Sequence, residues 1–172
     1  GRNGSWRDIL IAPVKKTIYL KKAGIEIDLG GIGKGYATQR ARDVLLRKGV
    51  KKALIDMRSS IAAIGGPWRI GISDPLKEEK ILGVLILSDG DALSTSGQYE
   101  QPGHIIDPRT GKKADLCLSV TIIAKDAGLA DALTTAVFVL GPEKGMELID
   151  KMKVKGIIVG KSGKMVRNTE LL

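Results

Sequence analysis

Asp131 and Thr135 lie four residues apart in the stretch Gly128-Leu-Ala-Asp-Ala-Leu-Thr-Thr-Ala-Val-Phe-Val-Leu-Gly141. At helical spacing both side chains occupy one face, about a turn apart. The stretch opens on small residues and ends at Gly141-Pro142, a strong stop signal, with Asp131 as its only ionised group. Leu133, Val137, Phe138, Val139 and Leu140 are apolar, so the helix is expected to be mostly buried. Its carboxylate then needs a partner, because an unpaired buried charge is expensive. A carboxylate joined by hydroxyl oxygens is oxygen-only ligation, suited to magnesium or calcium. A purely structural reading fits as well: Asp131 favours the helix N-terminus through the dipole, and Thr135 bonds back to a carbonyl.

A second concentration of chemistry is His104-Ile-Ile-Asp-Pro-Arg-Thr-Gly111, which holds the only histidine in the chain. Its imidazole suits proton transfer near neutral pH, and Arg109 suits bidentate phosphate contact. Asp107-Pro-Arg-Thr-Gly also makes a good type I turn, and a lone histidine is often structural, so both readings stay open. Just before it, Ser94-Thr-Ser-Gly-Gln-Tyr-Glu100 reads as a small-polar loop. A third stretch, Asp28-Leu-Gly-Gly-Ile-Gly-Lys-Gly-Tyr-Ala37, is a glycine-rich turn running into a helix. Such turns bring backbone N–H groups toward phosphate, with Lys34 as an added point charge. The Gly-Lys-Ser/Thr of a Walker loop is absent, and so is the acidic residue of a dinucleotide fingerprint. A tight strand-to-helix turn needing positive φ accounts for the glycines equally well.

The elements that must position these groups can be read in order. Ile9–Ala12, Thr17–Leu20 and Ile25–Leu29 read as short strands. A helix is expected from the glycine-rich turn to about Lys48, with Tyr36, Ala37, Val44 and Leu45 as its apolar face. Ala53–Asp56, Ile61–Ile64, Trp68–Ile72 and Lys80–Leu87 are strands. Asp89-Gly90 marks a hairpin turn into Ala92–Thr95, so the middle is expected to be an antiparallel meander. Leu118–Ala124 is a strand ahead of the Asp131 helix. Pro142 to about Met152 is a further helix, and Gly156–Val159 with Lys164–Arg167 closes as a hairpin.

At 172 residues the chain is expected to be a single domain with enough length for a real core. Aromatics make up only 3%, which argues against a stacking platform for single-stranded nucleic acid. The formal charge is +9, but the lysines are scattered as pairs, without a basic stripe. We read them as solvated surface that also attracts an anionic small molecule such as a nucleotide. Cys117 is the single cysteine, which excludes an intrachain disulfide and a cysteine metal site, and it is expected in a buried strand. The apolar runs are too short to cross a bilayer, and no signal peptide is recognisable. Gly1-Arg-Asn-Gly-Ser reads as a linker edge.

The three motifs taken together resemble the ApbE family of FAD:protein FMN transferases, over essentially the whole chain. The resemblance implies an α+β fold, a mostly antiparallel sheet with packed helices, ApbE-like and related to the T-fold. It implies that this chain lacks the family's N-terminal portion, which precedes the first strands and supplies part of the flavin and adenine pocket. It also implies a Mg²⁺-dependent enzyme that transfers FMN from FAD to a threonine or serine hydroxyl of a target flavoprotein and releases AMP. By position, Asp131, Thr135 and the backbone carbonyl of Gly33 match the metal ligands, and His104 matches the residue taken as base. Gly30, Gly31, Lys34, Ser96, Gly97, Ile105, Asp107, Arg109 and Thr110 fall in the FAD-lining motifs. The implied partners are FAD and the acceptor flavoprotein, with no nucleic acid and with a homodimer left open. An extracytoplasmic or membrane-anchored location is implied by the resemblance alone. Three positions depart from the usual pattern: Gly33, where alanine is common; Arg58-Ser59-Ser60, where Gly-Gly-Asn/Asp is common; and Gln39, where aspartate is frequent. The resemblance implies that the last two border the pocket and bear on affinity or substrate choice. Rival readings are an FAD pyrophosphatase using water as acceptor, a non-catalytic FAD-binding fragment, and nucleic-acid binding through the net charge.

Overall fold

Cys117–Ala124 (β8) is apolar or hydroxyl-bearing at every position, the pattern of a strand covered on both faces. The structure, a computed structural model, describes residues 4–97 and 103–172 and shows what covers it. β8 lies inside a six-stranded antiparallel sheet with Ala53–Asp56 (β3), Ser60–Ile64 (β4), Ala92–Gly97 (β7), Lys155–Gly160 (β9) and Met165–Arg167 (β10). The spatial order is β10-β9-β8-β7-β4-β3. Three helices accompany it: Gly33–Arg47 (α1), Ala127–Leu140 (α2) and Pro142–Lys151 (α3). On the helix side Val120 and Ile122 pack with Leu133, Val137 and Phe138 of α2 and Ile149 of α3. On the other side Ile123, Leu93 and Ile157 pack with Ile70, Ile72, Leu85 and Leu87. Those last four belong to a separate antiparallel pair, Trp68–Ser73 (β5) and Ile81–Leu87 (β6). The α+β, mostly antiparallel expectation therefore holds.

α2 starts where Asp126 caps it, its side chain accepting from the Leu129 N–H at 2.7 Å. It stops at Gly141, whose φ of 83° lies in the left-handed region open to glycine, and Pro142 starts α3. α1 crosses α2 on a face made of Gly35, Thr38 and Arg42. Gly35 has to be glycine: a Cβ there would collide with the Ala127 carbonyl and the Asp131 Cβ. The Arg42 guanidinium, 7% exposed, donates to Gly90 O, Lys125 O and Gln39 Oε1, while Gln39 Oε1 also accepts from Ala127 N. α1 is thereby fastened to the first residue of α2.

Several expectations are corrected. Of the apolar face assigned to α1, Tyr36 at 62%, Ala37 and Val44 at 44% are exposed and Leu45 is half-buried; the buried side is built from a glycine, a threonine and an arginine. Ile25–Leu29 alternates like a strand but pairs with no strand among the described residues and stays irregular. The Asp89-Gly90 turn does not close a hairpin. Among the described strands β6 pairs with β5, its Val84 also exchanging backbone hydrogen bonds with Leu172, and β7 pairs with β4 and β8, so the turn carries the chain from one sheet to the other. Ser94–Gly97 is not a loop but the end of β7, its hydroxyls tied across the sheet. Gln98, Tyr99 and Glu100 of that stretch, and Gly1 to Asn3, lie outside the described residues. Ile9–Ala12 (β1) and Thr17–Leu20 (β2) form a hairpin of their own as expected. Among the described residues no helix is long and apolar enough to cross a membrane.

Candidate functional site

Asp131 sits in the second turn of α2, beyond the reach of a simple cap of its own helix, and is 5% exposed. Its carboxylate is met by another helix. Oδ2 accepts from Gly35 N at 2.8 Å, so it satisfies an N–H in the first turn of α1. Oδ1 accepts from Ser94 Oγ at 2.9 Å. The hydroxyl that bonds back to a carbonyl is that of Thr134, donating to Asp131 O at 2.7 Å, and not that of Thr135. Thr135, half-buried, turns toward Gly31, where an added Cβ would lie 3.4 Å from its Oγ1.

These groups line a cleft of about 840 Å³. Its walls are Asp28 to Gly31, Gly33 and Lys34 from the approach to α1, Thr95 to Gly97 from the end of β7, His104 to Ile106, Asp131 and Thr135, and Ser59. Of the residues singled out in the sequence, Gly30, Gly31, Gly33, Lys34, Ser96, Gly97, His104, Ile105, Asp131 and Thr135 are thus brought together. His104 is exposed on the cleft wall, and Ile105 behind it is buried. Asp107 and Thr110 do not line the cleft; they build its flanking turn, where Asp107 O accepts from Thr110 N and Gly111 N. Arg109 also lies outside it. Its Nε and Nη2 grip the Asp107 carboxylate at 2.9 and 2.8 Å, which occupies the fork the sequence suggested for phosphate. These hydrogen bonds, together with the Arg109 backbone N–H, hold the Asp107 carboxyl below the usual range, and Asp107 in turn raises the guanidinium. Arg109 lines an adjoining apolar recess with Ile32, Ile106, Pro108, Ala136 and Val139.

The glycine-rich turn departs from the phosphate cradle expected of it. Gly30 N is taken by Asp28 Oδ1, and the N–H groups of Ile32 and Gly33 by Leu29 O. With Gly35 N on Asp131, four of the turn's N–H groups are already engaged, and the turn contributes space and the Lys34 charge to the cleft. Gly33 opens α1, so its carbonyl is directed along the helix like any first-turn carbonyl; a cation would use the second lone pair. Among the described residues no group of three His, Cys, Asp or Glu could hold a metal ion. The donor set is one carboxylate with hydroxyl and carbonyl oxygens. That fits a hard cation of the magnesium type, which takes one or two carboxylates and fills its remaining positions with substrate phosphate and water.

Sequence reasoning missed Asp28 and Thr95 in the walls, and Gly35 and Ser94 as the partners of Asp131, while the resemblance had set Ser59, with Arg58 and Ser60, at the border of the pocket. Only Gly35 left a signal: a glycine inside a helix, where it costs about 1 kcal/mol against alanine, implies close approach of another backbone. Gln39 does not line the cleft, being engaged in the α1–α2 fastening, whereas Ser59 does.

Comparisons with known proteins agree with this geometry. The ApbE family model matches residues 2–158. An FAD:protein FMN transferase of Klebsiella pneumoniae is 37% identical over 148 residues, covering 81% of this chain and 46% of the relative. One of Rhodobacter capsulatus is 31% identical over 154 residues, covering 83% of this chain and 29% of the relative. The crystal structure of the ApbE protein from Thermotoga maritima superposes with a TM-score of 0.87 at 34% identity, covering 97% of this chain and 59% of the other. The flavin transferase ApbE from Vibrio cholerae gives 0.85 at 27% identity, covering 96% and 57%. The chain spans about half the length of these relatives or less than two thirds of it.

Proposed function

The chain belongs to the ApbE family, and on that premise we propose that its cleft is the reaction centre of an FAD:protein FMN transferase. The observation that carries the proposal is the convergence of Asp131, Thr135 and His104 on one cleft from α2 and from the loop between β7 and β8. In the proposed reaction the hydroxyl oxygen of a threonine or serine on an acceptor flavoprotein attacks the phosphorus of the FMN half of FAD. A new P–O bond forms, the bond to the AMP phosphate breaks, and AMP leaves with the electron pair. The hydroxyl proton passes to an imidazole nitrogen of His104, which is exposed and so open to an incoming protein.

The remaining requirement of phosphoryl transfer is positioning and charge neutralisation. Asp131 and Thr135, with the Gly33 carbonyl, would hold Mg²⁺, which when bound neutralises the diphosphate oxygens. Lys34, at the start of α1, adds a positive charge to the same wall. Asp131 can hold a cation without drifting because Gly35 N and Ser94 Oγ fix both carboxylate oxygens. Gly30, Gly31, Ser96, Gly97 and Ile105 would shape the dinucleotide site. Asp107, Arg109 and Thr110 support it by fixing the loop behind His104.

The exposure of His104 also admits water as acceptor, which gives FAD hydrolysis to FMN and AMP as the second reading. Incubating the chain with FAD, Mg²⁺ and a threonine-containing acceptor peptide, followed by mass spectrometry, separates the two. The expected product is a peptide heavier by FMN less one water, together with AMP. Free FMN and an unmodified peptide would establish the hydrolase instead, and no AMP at all would refute both.

A further inference from the structure

Resting on the flavin-nucleotide reading of the cleft, we propose that Ser59 is a binding and specificity-determining residue. Its hydroxyl donates a hydrogen bond to a diphosphate oxygen of the bound dinucleotide.

Ser59 stands in the cleft wall, in the turn before β4. Its Oγ is buried with no hydrogen-bond partner among the described residues. The three β7 hydroxyls nearby are all engaged. Ser94 Oγ lies 3.0 Å from Ser59 O and 2.9 Å from Asp131 Oδ1, Thr95 Oγ1 pairs with Thr121 Oγ1 at 2.9 Å, and Ser96 Oγ donates to Thr134 Oγ1 at 2.8 Å. A buried hydroxyl without a partner keeps its full desolvation penalty, so a ligand that accepts from it recovers more than an already satisfied group would.

The backbone under Ser59 is fixed, since its carbonyl also accepts from Thr95 N at 2.8 Å. The preceding turn is fixed too, with Arg58 at a φ of 67° and its N–H on Asp56 Oδ1 at 2.7 Å. The residue itself is only half-buried, and the proposed bond requires rotation about χ1 to bring Oγ from the wall into the cleft. Ser94 Oγ lies within hydrogen-bond distance of both the Ser59 carbonyl and the Asp131 carboxylate, which puts this residue near the proposed diphosphate position rather than at a distant rim. Ser60 supplies an internal comparison. Its Oγ is likewise buried and unpartnered, but Ser60 opens β4 and does not line the cleft.

The test is calorimetric titration of FAD, and separately of ADP, each with Mg²⁺, into the parent chain, Ser59→Ala and Ser60→Ala. ADP carries the diphosphate without the flavin. Ser59→Ala is expected to weaken both nucleotides about three- to tenfold, the loss of one hydrogen bond. Its melting temperature should stay level or rise, because an unsatisfied hydroxyl has been removed from the unliganded protein. Ser60→Ala should leave both affinities unchanged. Parent-like affinity in Ser59→Ala, an equal loss in Ser60→Ala, or a loss for FAD but not ADP would each overturn the assignment while leaving the cleft's function intact. If the parent chain bound neither nucleotide, the nucleotide reading of the cleft would fall, and this assignment with it.

Discussion

Two groups distant in sequence fix the Asp131 carboxylate: Gly35, 96 residues away, orients one oxygen and Ser94, 37 residues away, the other. Asp131→Asn keeps the shape and an acceptor for Gly35 N but removes the charge. It should therefore cut turnover by at least about 100-fold while the chain still folds, as measured by kcat/KM beside circular dichroism. Ser94→Ala keeps the charge and frees one oxygen. The expected result is about 1 kcal/mol less stability and a weaker Mg²⁺ site by about tenfold, read by melting and by cation titration. Asp107 gives a pH test. The Arg109 hydrogen bonds hold its folded pKa below the model-peptide 3.8, so the pair's contribution is present above that pH and disappears as pH falls through the lower folded value. A carbon NMR titration of the Asp107 carboxyl should show a midpoint below 3.8 that rises in Arg109→Ala. The Asp131–Thr135 pair was legible in the sequence because helical geometry alone puts four-residue neighbours on one face. Its partners were not, because nothing local records which backbone N–H a folded chain will bring to a carboxylate.

α1 and α2 are positioned by close contact and polar fastening rather than by an apolar stripe. That is why the face assigned to α1 from its aromatic and branched residues pointed the wrong way. Helical periodicity registers where large apolar groups recur, and here the buried side carries Gly35, Thr38 and Arg42. The two glycines of this helix should respond oppositely to the same change. Gly35→Ala drives a methyl into Asp131 and the Ala127 carbonyl, at a cost of about 1–3 kcal/mol, and loosens the carboxylate. Gly33→Ala meets nothing within 4 Å and should be neutral or stabilising by up to about 1 kcal/mol. Melting curves of the two variants decide this, and equal destabilisation would contradict the described packing. Strands with both faces covered, such as β8, were readable from continuous apolar sequence. Pairing was not: Ile25–Leu29 has the alternation of a strand without a neighbour, and Asp89-Gly90 is a turn between sheets rather than within one.

The molecule as a whole is a six-stranded sheet held between a helical layer and the β5–β6 pair, with its most protected residues at the centre and the cleft at one end. Amides of β8 should accordingly be among the last to exchange with deuterium. Those of the β1–β2 hairpin, a separate two-stranded sheet with every residue exposed or half-buried, should be among the first. Cys117 at the start of β8 reports the same core: burial pushes its thiol up to about 11. It should resist alkylation at pH 8 in the native protein and react readily in denaturant. The central claim concerns the other end of the molecule, where α1, α2, β7 and the His104 loop meet. The most direct test is a crystal of the chain soaked with FAD and Mn²⁺ in place of Mg²⁺, with the metal located by its anomalous signal. The account predicts one peak within about 2–2.5 Å of an Asp131 oxygen and beside Thr135 Oγ1, with the FAD diphosphate against it and His104 facing the FMN phosphorus. A metal peak elsewhere, or FAD lodged in the cavity beside Lys153 and Lys155 on the β6–β9 side, would contradict it.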